Sequence, residues 1–181
     1  MVMLERTAMM LAATWRRRFS FHRLGNVVLA GSAVAIVCGL VSMLLGQDRN
    51  WDLRNYHLYG AYAYLTDRIG IDLAPAGLQS YFPPLADVPY FWMVTHWPAA
   101  AVAFVMGVIH GLSFILLAGI AWRLLEGDPR RATRAPLLGL AGLLSAAFLS
   151  ELGNTMGDNT SAPLVLGALL LAKDRGADGP V

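Results

Sequence analysis

The chain has 181 residues, 56% of them hydrophobic and 14% charged, with a mean hydropathy of +0.51 and a formal net charge of +2. A soluble globular domain carries about 25% charged residues, and so few charges cannot cover a water-exposed surface rich in Leu, Ala and Val. Composition argues against a soluble enzyme, a disordered chain and a disulfide-stapled secreted domain, and leaves an integral membrane protein of a few spans.

Residues 1–23 hold five arginines and one acid. They are expected to form a cytoplasmic N-terminal segment, with 1–15 a frayed tail or an interfacial amphipathic helix. The next 24 residues, 24–47, are uncharged. A signal-peptide core is only about 7–15 residues long, so this run predicts an uncleaved signal anchor with a span at 24–46. Cys38 falls inside it, alone, as a small apolar residue would.

Residues 47–97 read as an outer loop. Its first part, 47–87, holds eight charges and is rich in aromatics. Leu58, Tyr62, Leu65 and Ile69 recur at helical spacing and predict a short helix lying at the membrane surface. Pro75, Gly77, Pro83 and Pro84 mark a loop. From 88 to 122 there are 35 uncharged residues, too many for one straight span and too few for two. Pro98 divides them, since proline suits the first turn of a helix. Residues 84–97 are therefore expected to be a short interfacial or re-entrant helix, and 98–125 a second span.

Gly127-Asp128-Pro129 marks a turn within 126–134, and 135–150 predicts a third span. After the polar stretch ELGNTMGDNT, the apolar run 161–172 predicts a fourth helix. That helix must be short, extended by its loop residues, or covered by protein. Residues 173–181 are expected to be a polar, disordered tail. The chain is thus expected to be an all-α integral membrane protein with about four transmembrane helices (24–46, 98–125, 135–150, 161–172) in a domain at 24–172. Interfacial or re-entrant helices lie in its first outer loop.

Charge orients this arrangement. Segments 1–23, 123–134 and 173–181 hold 11 of the 14 basic residues against five acids; the other loops hold three arginines and seven acids. That is a positive-inside pattern, with the N-terminus cytoplasmic. It requires that 84–97 does not cross.

Chemistry concentrates in two loops assigned to the outer side. All six tyrosines (56, 59, 62, 64, 81 and 90) lie in the first, with Trp51, Trp92 and Trp97. They read as an interfacial aromatic belt, as platforms for a sugar or lipid headgroup, or as both. In WDLRNYH, Asp52 can act as general base toward a hydroxyl, and Arg54 can hold an anionic phosphate. Tyr56 and His57 are the adjoining candidate contacts to substrate. A solvated ion pair is the competing reading of this motif, and Asp48 can take the place of Asp52. In the second loop, Glu151 and Asp158 flank LGNTMG. Acids so close to bilayer depth need water or a partner, as in a substrate cleft or a metal site. The histidines lack zinc spacing, no Walker or Rossmann glycine pattern occurs, and nothing suggests nucleic acid. Glycines dispersed in the apolar helices suit close packing.

Three stretches, WDLRNYHLYGAYAYL, GLQSYFPPLADVPYF and ELGNTMGDNTSAPLVLGALLL, resemble the GT-C class of polytopic glycosyltransferases that use polyprenyl-phosphate-linked sugars. The likeness covers residues 24–172 and is closest to uncharacterised bacterial members. It implies that Asp52, with Asp48 as second choice, is the catalytic base, and that Glu151 or Asp158 binds a divalent metal or the acceptor. It also implies inversion at the anomeric carbon, a lipid phosphate as leaving group held by arginine, and an inner (plasma) membrane location. Members of that class are much longer. The chain is therefore expected to be an N-terminal portion, or to work with a second membrane chain that supplies the missing spans. From a different class, the alternative is a small non-catalytic membrane protein, such as an assembly subunit or a transporter fragment. Uncharged span interiors disfavour an ion-coupled pump.

Overall fold

The structure is a computed structural model that describes residues 21, 23–73 and 76–177, with side chains up to 172. Every regular element among the described residues is helical. In chain order they are α1 (Leu24–Leu45), a π-helical turn (Leu53–His57) running into α2 (Leu58–Leu65), 3₁₀ turns at Gly77–Tyr81 and Pro84–Ala86, and α3 (Val88–His96). There follow α4 (Ala99–Gly111), α5 (Ser113–Leu124), α6 (Arg131–Leu143), α7 (Ala146–Ser150) and α8 (Asp158–Ala177).

Two stretches are long and apolar enough to cross a membrane: α1, with 22 residues, and α4–α5 taken together, with 26. At 1.5 Å per residue they extend about 33 and 39 Å. Gly46, at φ +92°, ends α1, and its N–H is shared by the carbonyls of Ser42 and Met43. Trp97 is extended (ψ 156°) because Pro98 follows it, and this separates α3 from α4.

α1 and α4 pack antiparallel, and their contact is built from small residues four apart. Ala35 and Gly39 on α1 face Gly111 and Gly107 on α4, and Gly31, one turn earlier, meets Ile115 at the start of α5. A Cβ on Gly107 would lie 2.5 Å from the Cys38 carbonyl oxygen and 2.8 Å from the Gly39 Cα, so the backbones touch. This is the small-xxx-small packing of membrane helices. Ser42, buried, adds a hydrogen bond across the pair to the Ala103 carbonyl at 2.7 Å.

The remaining long helices assemble around α5. α6 returns along it, with Gly139 against Ala118 and Phe114, and Gly142 against Leu117. At the turn between them the Arg131 guanidinium lies 4.2 Å from the centre of the Trp122 ring, and its Nε donates to the Trp122 carbonyl at 2.5 Å. Asp128 pairs with Arg134 in the same turn. α8 runs alongside α4 and α5, with Thr160 beside His110 and Leu170 beside Gly119. Phe114, Ala118, Leu143, Phe148 and Leu152 form the core between these helices. Phe21 seats its ring 6.3 Å from both Phe114 and Trp122. Residues 1–20, including the expected tail or amphipathic helix at 1–15, lie outside the described residues.

The structure alters several expected elements. The third apolar run is not one helix: α6 stops at Leu143, and Ser145 caps α7 by accepting from the Phe148 N–H. The fourth helix starts at Asp158, three residues before the apolar run, so part of the expected loop is its first turn. It also continues into the expected tail, as far as Ala177. The surface helix is turned over. Leu65 and Tyr62 of the expected apolar stripe are exposed, Ile69 lies beyond the helix end at Thr66, and the buried face consists of Gly60, Ala61 and Ala63. Small residues let α2 lie close on its neighbours, with Gly60 near Pro84; of the expected stripe Leu58 does pack inward, against Leu53, Tyr90 and Met93, while Tyr62, Tyr64 and Leu65 face away.

Candidate functional site

The elements of residues 47–97 and the segment 151–157 meet over the α1–α4 pair. Gly153 makes the closest junction. Its φ is +83°, and a Cβ there would lie 1.9 Å from the Ser42 hydroxyl oxygen. Its N–H donates to His110 Nδ1 at 3.1 Å. That obligate donor leaves Nδ1 as the acceptor, so the His110 proton is on Nε2, 3.1 Å from the Thr160 hydroxyl. One fully buried imidazole thereby holds α4, the 151–157 segment and α8 together.

Asp48 makes the second junction. One carboxylate oxygen accepts from the Thr155 N–H and the Thr155 hydroxyl, both at 2.8 Å. The Asn50 backbone and side-chain N–H groups, at 3.0 and 2.8 Å, occupy the other. Asn50 in turn accepts from the Leu53 N–H at 2.6 Å, which starts the π turn. The two acidic loops do converge, and Asp48, the second-choice residue, is what joins them. Asp52 stands apart from this junction. It is half-buried on the helical turn, beside the Tyr56 hydroxyl one turn on. Burial, followed by the negative charges of Asp52 and Asp87, pushes the Tyr56 phenol above its ordinary range.

The π turn sends its residues two ways. Arg54 is exposed and, with Arg49 and Asp48, lines a cleft of about 300 Å³ walled by Tyr90 and Val94. Tyr56 and His57 line a larger cavity of about 600 Å³ on the other side of Tyr90, together with Asp87, Met93, Met106, Thr155 and Leu164. Asp158 reaches this second cavity; Asp52 lines neither of the two. His57 Nδ1 lies 2.8 Å from Asp87 Oδ1, its ring centre is 4.3 Å from that of Tyr56 with the planes tilted by 37°, and its Nε2 is buried with no hydrogen-bond partner among the described residues. Tyr56 also meets Phe82 edge-on.

Glu151 and Asp158 lie close enough to interact. Burial, then the charge of Asp158 and a hydrogen bond with it, raises the Glu151 carboxyl above the usual carboxylate range. Among the described residues no three metal-ligating side chains come together, so the acids here form a pair without a third ligand. Arg68 and Asp72 form a closed bidentate ion pair at 2.6 and 2.8 Å that also receives the Tyr59 hydroxyl.

Asp87, Thr155 and His110 are the site residues that sequence reasoning did not select. A lone acid inside the aromatic Pro-Pro-Leu stretch was the signal for Asp87. His110 was conspicuous only as a histidine inside the expected second span. Thr155 carried no signal of its own. No family model matches the chain, and no curated protein or solved structure does so either.

Proposed function

We propose that the chain carries the acid-bearing part of a GT-C-type membrane glycosyltransferase site, on the outer side of a bacterial inner membrane. Two kinds of support bear on the membrane setting. The positive-inside charge split is one. The other is the outward face of α1, where Leu24 is 79% and Leu44 87% exposed, a surface that lipid would cover. In this reading the chain is multi-pass, with α6–α7 and α8 completing four spans around α4–α5.

The observation that carries the functional reading is the convergence of the two acidic loops beside an arginine-bearing cleft. In the proposed reaction Asp52 takes the proton from an acceptor hydroxyl, and that oxygen attacks the anomeric carbon of the donor sugar. The bond from the anomeric carbon to the phosphate oxygen breaks with inversion, and the polyprenyl phosphate leaves with its electron pair. Arg54, exposed on the cleft, is placed to hold the developing phosphate charge, for which its planar fork is suited. Asp48 holds the cleft in shape, since its carboxylate is already occupied by Asn50 and Thr155.

The test is Asp52→Asn in membranes supplied with a polyprenyl-phosphate-sugar donor. Loss of the base is expected to lower transfer about 100-fold or more, with membrane insertion unchanged. Undiminished transfer in this variant would reject Asp52 as the base.

A further inference from the structure

The turn at 125–130 is built as water-facing turns are, with Glu126 and Arg130 exposed. The two 3₁₀ turns, Gly77–Tyr81 and Pro84–Ala86, invert that arrangement. Leu78 is 75%, Leu85 64% and Tyr81 56% exposed. Shortly before them, Leu73 is 95% and Ile71 73% exposed. The polar groups are the ones turned inward. Ser80 is buried, and its hydroxyl oxygen accepts from the Ala76 N–H at 2.8 Å. Asp72 is closed by Arg68 and the Tyr59 hydroxyl. From 73 to 86 the sequence has no charged residue.

Exposed clusters of large apolar side chains mark an interaction surface, and two features say what this one meets. The first is its supply of hydrogen-bonding groups. Pro83 and Pro84 have no N–H, the Phe82 N–H is bonded to the Gln79 carbonyl, and the Asp87 N–H to that of Pro84. A protein interface carries about one hydrogen bond per 100–200 Å² and a polar rim, and these turns leave little to offer one. Hydrocarbon needs no such partner and admits only backbone that is satisfied internally. The second is the surrounding amphipathic rings. Among the described residues every exposed tyrosine or tryptophan lies in 47–97: Trp51, Tyr62, Tyr64, Tyr81, Trp92 and Trp97. Such rings gather at the headgroup level of a membrane.

We propose that Leu78, Tyr81 and Leu85, with Ile71 and Leu73, form an anchor that enters the outer leaflet of the bilayer. Residues 47–97 begin at the end of α1 and lead into α4, so the anchor ties this layer to the membrane at a third point, between the two helices. The inference rests on the membrane setting of the proposed function and is independent of the glycosyltransferase chemistry.

The experiment uses the full chain in phosphatidylcholine vesicles. Leu78→Cys and Leu85→Cys, both at exposed sites, carry a nitroxide label; Cys38 is buried, and the unsubstituted chain is the blank. Relaxation of the label by oxygen, which concentrates in lipid, is compared with relaxation by a water-soluble nickel chelate. Ile36→Cys on the outward face of α1 and Glu126→Cys in the charged turn are the references for lipid and for water. The labels at 78 and 85 are expected to favour oxygen, as Ile36→Cys does, at a depth of about 5–10 Å into the boundary of headgroups and acyl chains. Nickel preference at either site, with oxygen preference at Ile36→Cys, overturns the anchor and leaves the membrane setting standing. Nickel preference at Ile36→Cys as well overturns both. Shielding of 78 and 85 from both reagents overturns the anchor too, since protein and not lipid then covers the surface.

Discussion

The α1–α4 seam and the layer of loops above it are held together in opposite ways. The seam is a fit of shapes: glycine and alanine bring two backbones into contact, and a single hydroxyl bond, from Ser42 to Ala103, crosses it. The loop layer is a fit of donors to acceptors, carried by Asp48, Asn50, Thr155, His57 and Asp87. In the seam a side chain that is too large does the harm. In the loop layer the harm comes from a missing partner, because the groups left behind are partly buried and polar.

Three substitutions probe that contrast, in falling order of effect. Gly107→Leu should be the most damaging. Its Cβ alone would meet the Cys38 carbonyl at 2.5 Å, so the helices must separate. Overpacking of this kind costs at least about 1–3 kcal/mol, and rigid backbone on the other side places it at the upper end or beyond. A thermal melt in detergent should show the largest drop in Tm, and a melt like that of the parent would mean the seam is not close-packed. Asp48→Ala should come next. It leaves the Thr155 N–H and hydroxyl and the Asn50 side chain without their acceptor, for a loss of about 1–3 kcal/mol. The 151–157 segment should then exchange its amide hydrogens faster while α1 and α4 do not; uniform acceleration through the chain would contradict the division into two regimes.

The smallest effect, and the one that depends on pH, belongs to Glu151. Its carboxyl is raised by burial and by Asp158, so the folded state holds that proton more tightly than the unfolded chain does. Stability from this group is therefore full below the ordinary carboxylate range and is lost as pH rises through the elevated value. Glu151→Gln cannot ionise. Its Tm should match the parent at low pH and exceed it modestly near neutrality. A difference in Tm that stays constant with pH would remove Glu151 from the account.

Some of this was legible in the sequence. The bounds of α1 and of α4–α5 follow from uncharged runs bracketed by Gly46, Pro98 and the basic turn, because crossing length is a property of the run itself. The orientation of α2 was not legible. A stripe of large apolar residues indicates the buried face where water surrounds the helix, but Gly60, Ala61 and Ala63 make the contact here and Tyr62, Tyr64 and Leu65 face out. The start of α8 at Asp158 was missed for a related reason, since a polar first turn looks like loop. Asp48 was weighed only as a substitute for Asp52. Its bond to Thr155, 107 residues away, and the pairing of His57 with Asp87 across 30 residues exist only once the helices are assembled.

Surface segments usually accept insertions and substitutions more readily than the helices they connect. The segment at 151–157 is an exception at its centre. Gly153 has a backbone conformation that other residues avoid, and no room for a single carbon beside Ser42. Its amide is also committed to His110. A change of residue here would be transmitted into α1 through Ser42 and into α4 through His110. In evolutionary terms this loop position carries the constraint of the helix core on which it rests, and is expected to vary as slowly as Gly107.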